Sequence, residues 1–216
     1  MRREHKSESG GGGLPAGYQQ LEYLQSTGTQ SINTNLSVNT TKHKREIDFM
    51  WIDNSGGQCL FGAGNSNDTQ WACTGYRGGY DLYFFIGSTA GTSTIANRCN
   101  ISQNVRYNLI IEYNTQYHSL IRTFNGNAVT TSFSGNITSS PLSLFSSNNG
   151  GTVALGYKGR IYSAKLTNND VLVRDFIPAL RISDSKPGLY DLCGSICPLT
   201  NTPFYINAGT GEFSYA

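Results

Sequence analysis

The residues best suited to ligand chemistry lie in a glycine-rich stretch with several aromatic side chains. Trp71, Tyr76 and Tyr80 stand with Arg77 among glycine, asparagine and threonine residues. An aromatic ring can stack on the apolar C–H face of a sugar while nearby polar groups bind its hydroxyl rim. Flanking glycines favour exposure of the two tyrosines, whereas core and exposed positions are equally balanced for Trp71. We therefore predict these four side chains as a candidate sugar-binding site.

A second candidate group is the acidic pair Glu46 and Asp48 in the segment KREIDFMWI. Alternate residues of a strand share a face, so two such carboxyl groups can stand close together. Retaining glycoside hydrolysis needs a nucleophile and an acid about 5–5.5 Å apart. No acid follows Asp48, because the next positions hold Met50 and Trp51, which cannot donate a proton. We interpret both acids as solvent-side residues of a strand that buries the alternating apolar residues.

The three histidines do not strengthen a catalytic interpretation. His5 lies near the N-terminus, His118 follows Tyr117, and His43 belongs to the basic run Lys42–Arg45. The spacing reveals no Ser/His/Asp or Cys/His arrangement. We predict that the chain is not an enzyme, and that the basic run is a solvated loop.

Metal binding has weak support in the sequence. Asn65, Asn67 and Asp68 form the densest group of oxygen ligands that calcium prefers. Asparagine-rich turns are common in this chain, so an ordinary turn is the simpler interpretation. We predict no cofactor and no metal, with calcium as the weaker alternative.

The five cysteines are an odd number and give no disulfide framework. Cys59, Cys73 and Cys99 fall in or beside predicted strands and are interpreted as small buried residues. Cys193 and Cys197 lie four positions apart in a Gly/Pro-containing loop. That spacing leaves a local disulfide open, and a metal site is the less favoured reading.

The composition favours a β-rich domain and argues against some classes of partner. The 216 residues include 25 glycines, 12% aromatic residues and 14% charged residues, with a net charge of +2. Turn formers and aromatic residues suit many short strands. The small net charge does not favour nucleic acid or an anionic membrane as a partner. No apolar run approaches the roughly 20 residues that span a bilayer.

The clearest predicted element is a hairpin in GRIYSAKLTNNDVLVRDFIPA. Strands at 160–167 and 171–177 flank the turn at 168–170, whose Asn and Asp residues tolerate positive φ. Period-2 alternation predicts that Tyr162, Ala164 and Leu166 share one face. Pro178 is expected to end the second strand, because proline has no N–H for the ladder.

The rest of the chain predicts one large domain. About a dozen strands with regular turns indicate a sandwich or barrel, and Asn125-Gly126 is a strong hairpin signal. Residues 1–13 carry charges and glycines without the apolar centre of a signal peptide. We predict residues 1–13 as a flexible tail or docking peptide, and residues 14–216 as the domain.

Several segments, in their order along the chain, resemble concanavalin A-like (laminin-G-like) jelly-roll domains found in phage-related and gut-bacterial surface proteins. The matching segments are Leu14–Gln30, Glu46–Phe49, Arg160–Ser163, Leu172–Pro178, Gly188–Asp191 and Asn207–Gly211. The chain departs from the expected pattern at 192–202, where a loop is lengthened. The resemblance implies an all-β fold of two antiparallel sheets in a jelly-roll sandwich. These segments look like the framework of the fold, so they carry no site residues over.

The resemblance allows three functions, because this fold hosts several. The leading hypothesis is a non-catalytic recognition or adhesion module on a phage particle or bacterial surface, with glycans as ligands. The alternative is a structural decoration or assembly protein of a virion, anchored to a scaffold through residues 1–13. A glycoside hydrolase is disfavoured: related glycanases carry a Glu-x-Asp-x-(x)-Glu strand motif, and here Met50 or Trp51 takes the place of the second glutamate.

Overall fold

The structure is a computed structural model that describes residues 13–53, 55–65, 70–77, 81–87 and 99–216. The predicted flexible tail therefore lies outside the described residues, except for Gly13. The described strands are β1 (Tyr18–Gln20), β2 (Leu24–Thr27), β3 (Ile32–Ser37), β4 (Lys42–Trp51), β5 (Gly57–Gly64), β6 (Trp71–Arg77), β7 (Asp81–Gly87), β8 (Cys99–Asn100), β9 (Arg106–Asn114), β10 (Ser119–Phe124), β11 (Asn127–Ser132), β12 (Pro141–Leu144), β13 (Ser147–Asn149), β14 (Thr152–Ala154), β15 (Lys158–Asn168), β16 (Val171–Arg181), β17 (Lys186–Asp191), β18 (Phe204–Ile206) and β19 (Ser214–Tyr215).

These strands form two sheets, which confirms the predicted all-β sandwich. The larger sheet has the order β11-β10-β9-β4-β15-β16-β17-β18, with β1 beside β16, β2 beside β15, and β19 beside β2. The smaller sheet has the order β14-β13-β5-β6-β7-β8, with β12 beside β5 and β3 beside β12. The described strand pairs are antiparallel apart from β13 and β5, which run parallel. No described helix is long and apolar enough to cross a membrane.

The core lies between the sheets and follows the alternation that the sequence predicts. On β4, Ile47, Phe49 and Trp51 are fully buried, while Glu46 and Asp48 on the other face are partly exposed. Each fully buried large apolar side chain contributes about 1.5–3 kcal/mol through removal from water. The buried indole N–H of Trp51 donates to Gln58 Oε1 at 2.8 Å, so its polar atom is satisfied as well.

The basic run at the start of β4 is not the solvated loop that the sequence suggests. His43 is 1% exposed and Arg45 is 0% exposed, whereas Lys42 and Lys44 reach solvent. The strand begins at Lys42, so the alternation that buries Ile47 also applies to Arg45 and His43, and both face inward. Two basic side chains are thereby placed between the sheets.

The β15–β16 hairpin is present and longer than predicted. Asn169 and Asp170 both have positive φ in the turn, as a tight hairpin requires. The second strand runs through Pro178 to Arg181, so Pro178 does not end it. The Pro178 carbonyl accepts from Leu21 N at 3.0 Å, on the side of β1. The N–H and C=O of a strand residue point toward the same neighbouring strand. The position of the missing Pro178 N–H therefore faces the edge of β16 between the segments that pair with β15 and with β1, where no ladder hydrogen bond is lost.

A second buried cluster lies apart from the main core. It consists of Cys59, Cys73 and Tyr83, with Phe85 packed against it. Cys59 and Cys73 are buried, as predicted, and form a disulfide that the sequence did not indicate. The local disulfide that the sequence left open between Cys193 and Cys197 is not formed, because both cysteines are free.

Candidate functional site

The sugar site that the sequence predicts falls largely outside the described part of the structure. The backbone of β6 carries Trp71, Tyr76 and Arg77 between β5 and β7, but their side chains are not described, and Tyr80 lies outside the described residues. Trp71 pairs with Gly64 and Gly87 in the ladder. A sugar site at these four residues therefore stays a prediction.

The predicted calcium ligands are described only in part. Asn67 and Asp68 lie outside the described residues. Asn65 Oδ1 accepts from Gln70 N at 3.1 Å, and Asn65 N donates to Gln70 O at 3.1 Å. The side chain of Asn65, the one described member of the group, therefore accepts a backbone N–H. Among the described residues, no cluster of three or more His, Cys, Asp or Glu could hold a metal ion.

The described side chains instead place two arginines over two tyrosines on the outer face of the larger sheet. We call this group the arginine–tyrosine patch; it consists of Tyr23, Arg106, Arg160 and Tyr162. The guanidinium carbon of Arg106 lies 3.8 Å from the ring centroid of Tyr162. That of Arg160 lies 4.0 Å from the ring centroid of Tyr23. The two rings meet edge to face at 5.8 Å, so the four side chains form one unit.

A β-bulge gives Tyr162 its place in this patch. Ile161 pairs with Phe49 and Ser163 pairs with Asp48, so β15 carries one extra residue at this point. Ala164 and Leu166 face the core, while Tyr162 contacts the outer-face side chains of Arg106 and Tyr23. The prediction that Tyr162, Ala164 and Leu166 share a face is therefore wrong, because an extra residue breaks the period of two.

Strand register sets the spacing of the two arginines. Gln25, Arg160, Met50 and Arg106 are successive ladder partners across β2, β15, β4 and β9. Neighbouring strands lie about 4.8 Å apart, so the two arginine backbones stand roughly 10 Å apart with Met50 between them. The Tyr162 hydroxyl lies 3.8 Å from the Met50 sulfur, so these two side chains are in contact between the arginines. The row therefore carries two positive groups on the outer face, one on each side of Met50.

Arg106 is held in position by a carboxylate. Its Nε and Nη2 donate to the two oxygens of Asp48 at 2.7 and 2.6 Å, a bidentate pair. The hydrogen bond to Asp48 raises the pKa of Arg106. The Arg106 side chain remains 50% exposed, so a ligand can still approach it.

Arg160 is held differently and keeps donors available. Its Nε donates to Gln25 Oε1 at 2.8 Å, and its plane stacks on Tyr23. The described ion pairs include none to Arg160, and the described hydrogen bonds engage neither of its terminal nitrogens. Gln25 and Tyr23 therefore orient the Arg160 guanidinium, and its two terminal nitrogens keep their N–H groups available. Such a guanidinium suits bidentate binding of a carboxylate.

The two acids that the sequence singles out are both engaged with cations, while the exposed Glu22 acts on Arg106 only through its charge. Asp48 pairs with Arg106, and Glu46 pairs with Lys44 at 2.6 Å. Neither is left as a free nucleophile, so the pair does not provide the two-carboxylate arrangement of a retaining glycoside hydrolase.

Sequence reasoning identified Asp48 as an outward residue but missed the patch. Its members come from three segments: Tyr23 before β2, Arg106 on β9, and Arg160 and Tyr162 on β15. The pairing of β4 with β9 brings Arg106 to Asp48 across 58 positions of sequence. One signal in the sequence could have indicated the patch. The outward-facing acids of β4 favour basic partners at the facing positions of neighbouring strands. Which residues supply them depends on register, and the bulge at Tyr162 cannot be read from the pattern.

Comparison with solved structures identifies the fold. The CBM40 domain of the Ruminococcus gnavus IT-sialidase bound to α2,3-sialyllactose superposes with a TM-score of 0.56 at 16% identity, covering 71% of this chain and 92% of that domain. The same domain bound to α2,6-sialyllactose gives a TM-score of 0.52 at 13% identity, over 72% and 93% of the two chains. The leech intramolecular trans-sialidase gives 0.53 at 15% identity, over 72% of this chain and 26% of the enzyme.

These likenesses establish the jelly-roll, concanavalin A-like β-sandwich that the sequence predicts. At such low identity they show the fold alone. No protein-family model matches the chain, and no curated protein matches it. The narrower resemblance to laminin-G-like domains of phage-related and gut-bacterial proteins stays a prediction.

Proposed function

We propose that this chain is a non-catalytic recognition module that binds acidic glycans on the arginine–tyrosine patch. The observation that carries the proposal is Arg160, which is stacked on Tyr23, fixed by Gln25 and free of any described carboxylate partner. A sugar that bears a carboxylate would place it on the terminal nitrogens of Arg160. The exposed guanidinium of Arg106 and the partly exposed ring of Tyr23 would then contact the hydroxyl rim and the C–H face. Tyr162 is 7% exposed and supports Arg106 from beneath.

The structural neighbours support this choice of ligand class. Two of them are crystallised with sialyllactose, a glycan whose terminal sugar carries a carboxylate. Their fold is shared, and the patch supplies an independent reason to choose an acidic sugar over a neutral one. Display on a phage particle or bacterial surface, and attachment to a scaffold through residues 1–13, remain hypotheses from the sequence alone.

Binding of 3′-sialyllactose and 6′-sialyllactose against lactose tests the ligand class. We expect saturable calorimetric binding of at least one sialylated trisaccharide and none of lactose, because only the former offers a carboxylate. Arg160→Gln should weaken binding by at least tenfold, since a hydrogen bond to a charged group contributes about 1.5–3 kcal/mol. Lys165→Gln is the matched control on the same strand and should leave affinity unchanged, because Lys165 pairs with Asp175 away from the patch.

Three outcomes would reject the proposal. Equal binding of lactose and sialyllactose would remove the role assigned to the arginines. Binding that survives Arg160→Gln but is lost in a folded Trp71→Ala/Tyr76→Ala variant would place the site on β6. Absence of binding on a broad glycan array would instead favour the structural decoration protein.

A further inference from the structure

Arg45 is a buried cation whose charge is not balanced by any described carboxylate. It is 0% exposed and lies between the two sheets. Its Nη1 donates to Ala72 O at 3.1 Å and its Nη2 to the Tyr113 hydroxyl at 3.3 Å. Its Nε–H has no partner. Burial of a charge without a counter-charge is costly, and an unpaired donor adds to that cost.

The register of the sheets sets a second arginine in the same layer. Arg45, Ile111 and Arg122 are successive partners across β4, β9 and β10, and all three are buried on the inner face of the larger sheet. The opposing sheet carries the row Phe61, Thr74 and Phe84 across β5, β6 and β7.

The two rows meet through cation–π contacts. The guanidinium carbon of Arg45 lies 5.0 Å from the ring centroid of Phe61, and that of Arg122 lies 5.5 Å from the ring centroid of Phe84. Thr74 stands between these phenylalanines in the ladder, so it faces the space between the guanidiniums. Its hydroxyl is fully buried and has no hydrogen-bond partner.

We propose that a small inorganic anion of the size of chloride is bound between the sheets by Arg45 and Thr74, beside Arg122. The Nε–H and the hydroxyl are both donors, and an anion accepts from both while it offsets the buried positive charge. A neutral water would satisfy the donors but leave the charge of Arg45 unbalanced. Phe61, Phe84 and Ile111 lie in the same two rows and are fully buried, so a monoatomic ion is the anion that we expect to fit. This site is separate from the arginine–tyrosine patch, which lies on the outer face of the larger sheet.

Thermal unfolding at constant ionic strength tests the site, with sodium chloride replaced stepwise by sodium gluconate at pH 7.5. We expect a saturable rise in Tm of about 3–5 °C as chloride increases, because a ligand that binds only the folded state stabilises it. Thr74→Ser keeps the hydroxyl and should keep the rise. Thr74→Val, which has nearly the same shape, and Arg45→Met should lose it.

Crystals of the unaltered chain soaked in sodium bromide give a test that does not depend on the folding of any variant. An anomalous peak within contact distance of Arg45 Nε and Thr74 Oγ1 is expected. Density without anomalous signal at that position, together with a Tm that does not respond to chloride, would identify a water and overturn the proposal. A chloride response that persists in Thr74→Val would also overturn it. Sialyllactose binding should not depend on chloride, so failure of one proposal leaves the other intact.

Discussion

His43 shows how one buried side chain links this fold to pH. The ring is 1% exposed, its Nδ1 pairs with Asn168 Oδ1 at 2.5 Å, and it packs beside Tyr113 with ring centroids 5.3 Å apart. Loss of solvation and, next, the charge of Arg45 lower the pKa of His43 from 6.5 to about 3, against the hydrogen bond to Asn168. The folded protein therefore holds His43 neutral at pH values where an unfolded chain would protonate it.

We predict that this histidine makes the fold sensitive to mild acid. The pKa is lower in the folded state, so the unfolded state binds the extra proton between about pH 6.5 and 3, and stability falls as pH falls through that window. The loss approaches about 1.4 kcal/mol per pH unit below 6. Denaturant unfolding at pH 7 and pH 5 measures it, above the range where most carboxylates titrate.

Two variants identify the group responsible. His43→Asn retains a donor in the place of Nδ1 and should reduce the loss between pH 7 and pH 5. His118→Asn is the control, because His118 is exposed and its φ of 48° suits asparagine. An unchanged pH dependence in His43→Asn would show that another group is responsible.

At the scale of the element, β15 is the strand on which the proposed glycan site depends. It pairs with β4 along one edge and with β2 and then β16 along the other. Its bulge turns Tyr162 outward, and Arg160 precedes the bulge by two residues. Gly159 lets this part of the strand approach its neighbours, since a Cβ there would lie 2.3 Å from Met50 O and 2.4 Å from the Tyr157 hydroxyl.

We predict that Gly159→Ala destabilises the fold and weakens the site together. The added methyl group meets backbone, which must shift, and overpacking of this kind costs about 1–3 kcal/mol. The shift would move Arg160 away from Gln25 and Tyr23 and so lower sialyllactose affinity. Chemical denaturation and calorimetry on one preparation measure both effects.

Gly57→Ala on β5 is the matched control. A Cβ there would meet only the Leu155 side chain at 3.6 Å, an ordinary contact, so stability and affinity should stay close to those of the parent. If Gly159→Ala and Gly57→Ala had the same stability and sialyllactose affinity, the close packing of the backbone around Gly159 would not be needed for either property.

At the scale of the whole molecule, a buried polar network joins the two sheets. Arg174 on β16 of the larger sheet donates through Nε and Nη2 to Thr34 O on β3 of the smaller sheet, at 3.3 and 3.2 Å. Asp191 is 0% exposed, lies 3.8 Å from Arg174 Nε and accepts from the N–H groups of Asp175 and Cys193. The loop after β17 is attached to the sandwich through these contacts.

We predict that Asp191→Ala costs about 3–5 kcal/mol, because it removes the carboxylate beside the buried Arg174 and the acceptor of the Asp175 and Cys193 N–H groups. Asp170→Asn is the comparison, since it breaks an exposed pair with Lys42 at 2.8 Å. Exposed pairs contribute little, so that variant should unfold at the denaturant concentration of the parent. Similar midpoints for the two variants would show that the buried Asp191 contributes no more to stability than an exposed ion pair.

Local patterns in the sequence are enough to predict the fold class and much of the core. Alternation along 47–51 and the apolar run at 82–86 correctly identified strands that are buried in the structure, and the turn at Asn169 and Asp170 fixed the main hairpin. These signals are local: side-chain period and turn chemistry act over a few residues, so a single chain is enough to detect them.

The tertiary structure decided which side chains meet. The extra residue at Tyr162 reverses its face, and the start of β4 at Lys42 places His43 and Arg45 inside. The meeting of Arg106 with Asp48 depends on pairing between strands far apart in sequence. Register and bulges are set by the packing of the whole sandwich, and a local pattern contains no information about them. The fold could therefore be read from the sequence, whereas the arginine–tyrosine patch could be found only in the structure.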